Sequence, residues 1–411
     1  MRTISFLLVT LILFLATSCD EINDPVKKID ISLKSKQIVE ADNAFGLDIF
    51  KLINAGEEKA NFMISPLSLS MALSMAYNGA ETETKAEMAQ ALRIEDFTRD
   101  EINESYKSLI AALIAVDPKV AMEIANSIWY KNGYSVEQNF LDVNSTYYNA
   151  EVNECDFVDP NTVDVMNQWV SDKTHEKIPS IITEIPPLAV LYLINAIYFN
   201  GSWSQEFNPE NSMELPFTTE AGEIVSTNMM SRLDTVNYLN NETFSAIEMP
   251  YGIGNFNMMV LLPNNEKSID DVIENFSPEN WKKWQTDLKL TNDVDILFPK
   301  FKIEYELTLN DILMSMGMKL AFTSQADFSS INVNKDLFIS YVKHKTFIEV
   351  DEEGTEAAAV TIIGFETTSI DPNEPQKINF HCTRPFLFAI TEKDTGAILF
   401  MGKVGNPMET E

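Results

Sequence analysis

Cysteine and histidine are scarce in this sequence, with three of each among 411 residues. So few cysteines exclude a disulfide scaffold, and so few thiols and imidazoles exclude a zinc cage of the Cys₄ or Cys₂His₂ kind. Glycine and proline are also infrequent, at 14 and 17 residues, which excludes a collagen-like or a proline-rich low-complexity chain. Hydrophobic residues make up 45% of the sequence, which is typical of a globular protein.

Positively charged residues are also few. Thirty lysines and arginines stand against 62 aspartates and glutamates, a formal net charge of −32. A surface this acidic repels phosphate backbones, so we expect no nucleic-acid partner. The sequence also lacks a Gly-x-Ser-x-Gly nucleophile elbow and a phosphate-binding loop. With so many carboxylates, no single pair indicates acid–base catalysis, and an enzyme is the weaker class of function.

The N-terminal residues are typical of an export signal. Arg2 precedes an apolar run from Ile4 to Ala16, which is shorter than the ~20 residues that a membrane span needs. This pattern predicts a signal peptide over residues 1–18. Small residues directly before Cys19 resemble a bacterial lipobox, so we expect a lipid on Cys19; ordinary cleavage that leaves a free Cys19 is the alternative. The expected location is the bacterial cell envelope, at the outer membrane or cell surface, with the lipid as the only membrane contact.

The remaining chain predicts a tether and one large domain. Residues 19–36 are polar and without clear periodicity, which is typical of a tether. From residue 37 to about residue 408 there is no second linker and no internal repeat. Apolar residues at helical spacing in the first third predict helices. Short apolar or alternating runs predict strands at Val190–Phe199, Phe256–Leu262, Val294–Phe298, Phe338–Val350 and Ile398–Val404. Helices first and strands later predict an α+β fold with mostly antiparallel sheets.

The segment after the predicted strand Phe338–Val350 is rich in small residues. It contains, in order, Glu352, Glu353, Gly354, Thr355, Glu356, Ala357, Ala358 and Ala359. Side chains alternate along a strand, so one face would carry Thr355, Ala357, Ala359, Thr361, Ile363 and Phe365. That face has no charge, and Glu356 and Glu366 lie on the other. The pattern describes a strand that could slide between existing strands. An ordinary edge strand or an alanine-rich helix start is the alternative.

This run and several other segments together resemble the serpin family. The other segments are residues 61–68, 195–203, 297–301, 326–329, 384–388 and 398–402. They stand in family order and at family spacing along most of the chain. The resemblance implies the serpin fold, with three mostly antiparallel sheets, about eight or nine helices and an exposed reactive loop at about residues 352–376.

The resemblance also implies a mechanism. A serpin of the inhibitory type traps an endopeptidase as a covalent acyl-enzyme and then inserts its cleaved loop into the main sheet. Residues Glu353 to Ala359 would be the hinge of that loop. Thr355 stands at the first buried position, where a charge would be costly. This favours an inhibitor over the alternative, a non-inhibitory serpin that acts as a binding or structural lipoprotein.

Family spacing from Gly354 places the attacked bond between Thr368 and Ser369. Phe365, Glu366 and Thr367 would be the specificity residues near that bond. The loop has no lysine or arginine from residue 351 to residue 376, so trypsin-like targets are not expected. The small Thr368 favours elastase-like proteases. Phe365 keeps chymotrypsin-like or subtilisin-like serine proteases and papain-like cysteine proteases open.

The resemblance implies supporting residues as well. Ser65, Ser68, Asn195 and His344 would form a polar cluster where the strands part, and Trp203 would lie at the top of the sheet where insertion begins. We expect no cofactor and no metal. A basic helix for polyanion activation is not visible, since Lys85 and Arg93 are isolated among acids. The expected partner is a target endopeptidase, and the protein is expected to be a monomer.

Overall fold

The computed structural model describes residues 27–334, 337–355 and 377–410. Serine and threonine hydroxyls begin several helices by accepting backbone hydrogen bonds, as Ser65 does from Ser68 and Thr98 does from Glu101. Nine α-helices lie within these ranges: α1 Leu33–Gly56, α2 Pro66–Tyr77, α3 Thr82–Ala91, α4 Arg99–Ala115, α5 Gln138–Tyr148, α6 Asn161–Lys173, α7 Ile269–Glu274, α8 Pro278–Asp287 and α9 Asn310–Ser315. No helix in the described part of the chain is long and apolar enough to cross a membrane.

Fifteen strands occur in the same ranges. They are β1 Asn61–Ile64, β2 Val120–Lys131, β3 Glu151–Cys155, β4 Leu191–Ser202, β5 Met213–Thr218, β6 Ile224–Asn240, β7 Phe244–Tyr251, β8 Phe256–Pro263, β9 Lys289–Pro299, β10 Phe301–Thr308, β11 Lys343–Val350, β12 Gly354–Thr355, β13 Ile378–His381, β14 Phe386–Glu392 and β15 Ile398–Val404. The predicted α+β class with mostly antiparallel sheets is confirmed, since only the β2–β3 and β9–β13 pairs are parallel.

The strands join into two hydrogen-bonded units. The first, called the main sheet here, has the order β10-β11-β12-β4-β2-β3. The second has the order β1-β15-β14-β8-β7-β6-β9-β13, with β5 also paired to β6. The 17-residue β6 pairs with β5 and β9 along its length and with β7 at its C-terminal end. This long strand makes two of the three expected sheets continuous through their hydrogen bonds.

The predicted C-terminal ends of the strands agree with the structure to within one residue where a proline follows the apolar run. β15 has the predicted bounds, and β8 and β9 end one residue beyond their predicted ends, at Pro263 and Pro299. β9 begins at Lys289, five residues before the predicted Val294. β11 begins at Lys343 instead of the predicted Phe338. The backbone N–H of Ile339 donates to the carbonyl of Ala321, and that of Val342 donates to Asn310 Oδ1. These N–H groups bond to helical residues outside the sheet, so the strand starts later.

The folded domain begins before the predicted boundary at residue 37. Ile29 and Ile31 are buried in the hydrophobic core, and α1 starts at Leu33 behind Ser32, whose Oγ accepts a 3.0 Å bond from Ser35 N–H. The N–H of Ile29 also donates to Asp394 Oδ2. The last part of the predicted tether is therefore packed structure. The predicted signal peptide and Cys19 lie outside the described residues.

The main sheet covers α2, which is buried on nearly every side. Eleven of its twelve residues are buried, and its mean composition is strongly apolar, as expected for a helix enclosed by other elements. It packs against β4 of the main sheet and β15 of the second unit. Of its polar residues, Ser68 faces the main sheet, where its hydroxyl bonds to Asn195, whereas Ser74 bonds to Tyr106 of α4.

Candidate functional site

The short strand β12 lies inside the main sheet, between β4 and β11. Gly354 is opposite Ser202, and Thr355 is opposite both Gly201 on β4 and Val350 on β11. Neighbouring strands are ~4.8 Å apart, so β4 and β11 stand about 10 Å apart at this level. The first residues of the predicted hinge therefore occupy the upper end of a gap that is one strand wide.

Gly354 allows this close approach. A Cβ atom added to Gly354 would collide with the carbonyl oxygen of Gly201 and would lie 2.7 Å from the Cα of Ser202. Any other residue at position 354 would have to push β12 away from β4. The glycine of the hinge is thus required by backbone contact.

Trp203 holds the turn that leads into β12. Its backbone N–H donates to the carbonyl of Glu353 at 2.8 Å, and its indole Nε1–H donates to the carbonyl of Asp351 at 3.0 Å. The indole stacks on Tyr251 with ring centroids 4.4 Å apart. The hydroxyls of Tyr251 and Thr355 share a hydrogen bond of 2.6 Å, which satisfies the polar group of a residue that is only 3% exposed.

Glu352 is the buried acid of the same turn, at 6% exposure. Lys300 Nζ lies 2.5 Å from its carboxylate, and Ser212 Oγ donates to it at 2.7 Å. Burial by itself would raise the pKa of Glu352, but the hydrogen bonds from Lys300 and Ser212 outweigh burial and hold the pKa below its ordinary value. The turn is therefore anchored to β9–β10 and to the start of β5 by charge-assisted bonds.

Below Thr355, no backbone hydrogen bond joins β4 to β11 within the described ranges. A cleft of about 420 Å³ lies between the lower halves of these two strands. Ser68, Ala72 and Ala76 of α2 line it at intervals of four residues, so small side chains on one helix face border the gap. The gap that β12 enters at the top thus continues downwards as open space.

A polar network lies at the level where this cleft meets α2. The N–H of Ser65 donates to His344 Nε2 at 2.9 Å, and Ser68 Oγ donates to Asn195 Oδ1. Asn195 Nδ2 in turn donates to Asn126 Oδ1 at 2.8 Å. The network therefore connects the start of α2 to β11 on one side and to β4 and β2 on the other.

His344 is neutral in this network. Burial lowers its pKa to about 3, because the charged imidazolium is disfavoured away from water. Its Nε2 accepts the N–H of Ser65, so the ring proton is on Nδ1. The network consists of neutral groups that can exchange partners without moving a charge.

The family model for Serpin (serine protease inhibitor) matches residues 40–407 of this chain. The chain belongs to the serpin family. The resemblance read from the sequence is thereby confirmed. Most members of this family inhibit proteases and are not enzymes, and they act on target proteases.

Relatives and solved structures agree with this membership. An uncharacterized serpin-like protein of Methanosarcina acetivorans is 32% identical over 381 residues, which is 92% of this chain and 88% of that protein. The leukocyte elastase inhibitor of Bos taurus is 31% identical and covers 90% of this chain and 100% of its own. The native-state crystal structure of the thermophilic serpin tengpin matches with a TM-score of 0.82 at 32% identity, over 93% of this chain and 96% of that one.

The structure brings together four of the predicted site residues, Ser65, Ser68, Asn195 and His344. Trp203 lies apart from them, at the upper end of β4 beside the hinge. Of the hinge residues, Glu353, Gly354 and Thr355 are described. The hinge residues 356–359 and the predicted reactive-bond region, residues 365–369, lie outside the described residues.

Several residues at the site were not predicted. Asn126 and Tyr251 come from strands far along the chain, and no local pattern marks them. Lys300 belongs to a segment that carried the family resemblance, residues 297–301, but its pairing with Glu352 requires the fold. The available signal in the sequence was the run of three acids Asp351-Glu352-Glu353 beside the predicted hinge. Any one of them that is buried in the fold needs a cationic partner.

Proposed function

We propose that this protein is an inhibitory serpin. A protease cuts the loop of residues 356–376 and is held as an acyl-enzyme, and the freed loop then enters the gap between β4 and β11 as a new strand. The observation that carries this proposal is β12, which already pairs with both flanking strands. Insertion would extend an existing strand and would give β4 and β11 the backbone partners that they lack there.

The register of β12 supports insertion of the following residues. Continued in the same antiparallel register, Ala357 would lie between Phe199 and Ile348, and Ala359 between Ile197 and Thr346. Small side chains suit positions flanked by larger ones. The same register would place Thr361 between Asn195 and His344. Its hydroxyl would face the polar network, where it could form hydrogen bonds that an apolar residue could not.

We propose an elastase-like protease as the leading target class. The loop has no lysine or arginine, so the acidic pocket of a trypsin-like protease would find no partner. A bond between Thr368 and Ser369 would present a small side chain to a shallow pocket. A relative is named leukocyte elastase inhibitor, which is consistent with this class. Phe365 keeps chymotrypsin-like, subtilisin-like and papain-like proteases as second targets.

We also propose that a lipid on Cys19 anchors a monomeric inhibitor in the bacterial envelope. The small residues before Cys19 and the short apolar run of residues 4–16 support this. Cys19→Ser should release the protein into the soluble fraction. A variant that stays in the membrane fraction would contradict the anchor.

The inhibitory proposal is tested by mixing the chain from Asp20 onward with elastase, subtilisin, trypsin and papain. We expect a complex with elastase that survives boiling in detergent, and none with trypsin. The mass of the released C-terminal peptide should correspond to a start at Ser369. A different start would move the reactive bond and keep the mechanism. Loop cleavage by all cutting proteases without any complex would show a non-inhibitory serpin.

A further inference from the structure

Arg232 is a buried cation outside the hinge and outside the polar network. It lies on β6 and is 8% exposed, which is unusual for arginine unless its charge is paired. Its Nη2 lies 3.0 Å from Asp234 Oδ2, and its Nη1 donates to the carbonyl oxygen of Gln205. Burial lowers the pKa of Arg232 to about 10, so the guanidinium is still charged at neutral pH.

The guanidinium also packs against an aromatic ring. Its Cζ lies 4.3 Å from the ring centroid of Phe207, within the range of a cation–π contact. Phe207 is buried and makes an edge-on contact with Trp203. Arg232 therefore touches the backbone of residue 205 and the side chain of residue 207 at once, which a planar, multi-donor group can do.

The segment that Arg232 contacts is the one that holds the hinge turn. Residues 203–212 connect β4 to β5, and four of their groups bond to the turn, one of them the Trp203 indole N–H described above. The N–H of Trp203 donates to Glu353, the N–H of Phe207 donates to the carbonyl of Glu352 at 2.9 Å, and Ser212 bonds to the Glu352 carboxylate. Arg232 contacts this segment at the carbonyl of Gln205 and at the ring of Phe207.

We propose that Arg232 is a positioning residue for loop insertion. It fixes residues 203–207 so that their N–H groups stay aligned with the hinge carbonyls, and this alignment sets how fast the strand extends below Thr355. The role rests on the proposed function, in which insertion competes with hydrolysis of the acyl bond. A looser segment would slow insertion, so more inhibitor would be consumed as substrate, while the protease's attack on the reactive bond, which precedes insertion, would be unchanged.

The test compares Arg232→Met, Arg232→Lys and a matched control, Lys403→Met. Lys403 is another buried cation: it pairs with Glu220 at 3.0 Å and lies over Phe62, on β15 and away from the hinge. The readouts are the moles of inhibitor consumed per mole of elastase and the association rate constant. We expect Arg232→Met to raise consumption severalfold at an unchanged association rate, Arg232→Lys to restore part of the loss, and Lys403→Met to leave consumption as in the parent.

Equal consumption by Arg232→Met and the parent would overturn the proposal, as would an equal rise for Lys403→Met, which would indicate general destabilisation. If Arg232→Met does not fold, the same criteria apply to Arg232→Lys. A second readout needs no protease: amide hydrogen exchange at Trp203 and Phe207 should quicken in the intact variant. Unchanged exchange at these two residues would overturn the positioning role of Arg232, even if the parent protein inhibits no protease. A parent protein that forms no complex would contradict only the inhibitory function.

Discussion

Asp42 is a carboxylic acid enclosed among the helices of the domain. It is 3% exposed on α1, and Tyr106 OH donates a 2.8 Å hydrogen bond to its Oδ1. Burial raises the pKa of Asp42 to about 7, and the hydrogen bond offsets burial only in part. The titratable groups nearest to it are phenols, Tyr106 and Tyr148, which stay neutral at such pH. The site therefore holds the protonated acid more readily than the carboxylate.

This pKa gives folding stability a definite pH dependence. An unfolded Asp42 releases its proton near pH 4, while the folded protein retains it up to about pH 7. Stability therefore falls as the pH rises through this window, by an amount on the order of 4 kcal/mol in full. Asp42→Asn keeps the acceptor for Tyr106 and removes the titration. We expect it to raise the unfolding temperature clearly more at pH 8 than at pH 5, measured by thermal unfolding; an equal effect at both values would contradict the burial argument.

His344 contributes the opposite dependence at lower pH. Its folded pKa of about 3 lies below the ordinary 6.5, so its contribution to stability is lost as the pH falls below about 6.5. Because the Asp42→Asn variant and the parent contain the same histidine, the effect of His344 cancels in the difference between their unfolding temperatures.

Ser65, Ser68, Asn195 and His344 were named through the family resemblance, and the structure brings them together. Residues outside the resembling segments were missed. Asn126 is an interior residue of β2, and nothing nearby distinguishes it from other strand polar residues. Arg232 and Phe207 lie 25 residues apart, and only the packing of β6 against the β4–β5 segment brings them together.

Among the elements, β12 carries the functional argument. Within the described residues it is the only strand that pairs with both β4 and β11, and Thr355 is buried against Tyr251. The alternation of side chains predicted an uncharged face beginning at Thr355. The sequence could not show that this face already starts inside the sheet, because that depends on the distance between two other strands.

Thr355→Arg tests the role of this element. A guanidinium at a position that is 3% exposed would have to be buried without a partner, which is costly. We expect the variant to be cut at the same bond as the parent but to form little or no covalent complex, as measured on denaturing gels. Glu356→Arg is the matched control, since alternation puts its side chain on the opposite face. Equal complex formation by Thr355→Arg and the parent would contradict insertion at this register.

Element boundaries were predictable to different degrees. β15 begins with the apolar run Ile398–Met401, and its predicted bounds agree with the structure. The folded domain begins earlier than the predicted residue 37 because Ile29 and Ile31 are core residues in a segment whose charges outnumber them. Burial of such a segment is decided by what it packs against, and a short stretch of sequence carries little information about that.

In the whole molecule, the main sheet contains a gap one strand wide between β4 and β11. β4 and β11 face each other without pairing below Thr355 in the described structure, and the cleft between them is lined by α2. Unpaired strand edges inside a domain are costly compared with a completed sheet. A loop that fills the gap should therefore leave the protein more stable than before.

The most direct test of this claim is the heat stability of the molecule before and after its loop is cut. The nicked inhibitor is purified away from any protease complex, and its thermal unfolding is compared with that of the intact chain. The account predicts a large rise in unfolding temperature on cleavage within residues 356–376, and no such rise for Thr355→Arg. An unfolding temperature that stays the same or falls after cleavage of the parent would contradict insertion of the loop between β4 and β11.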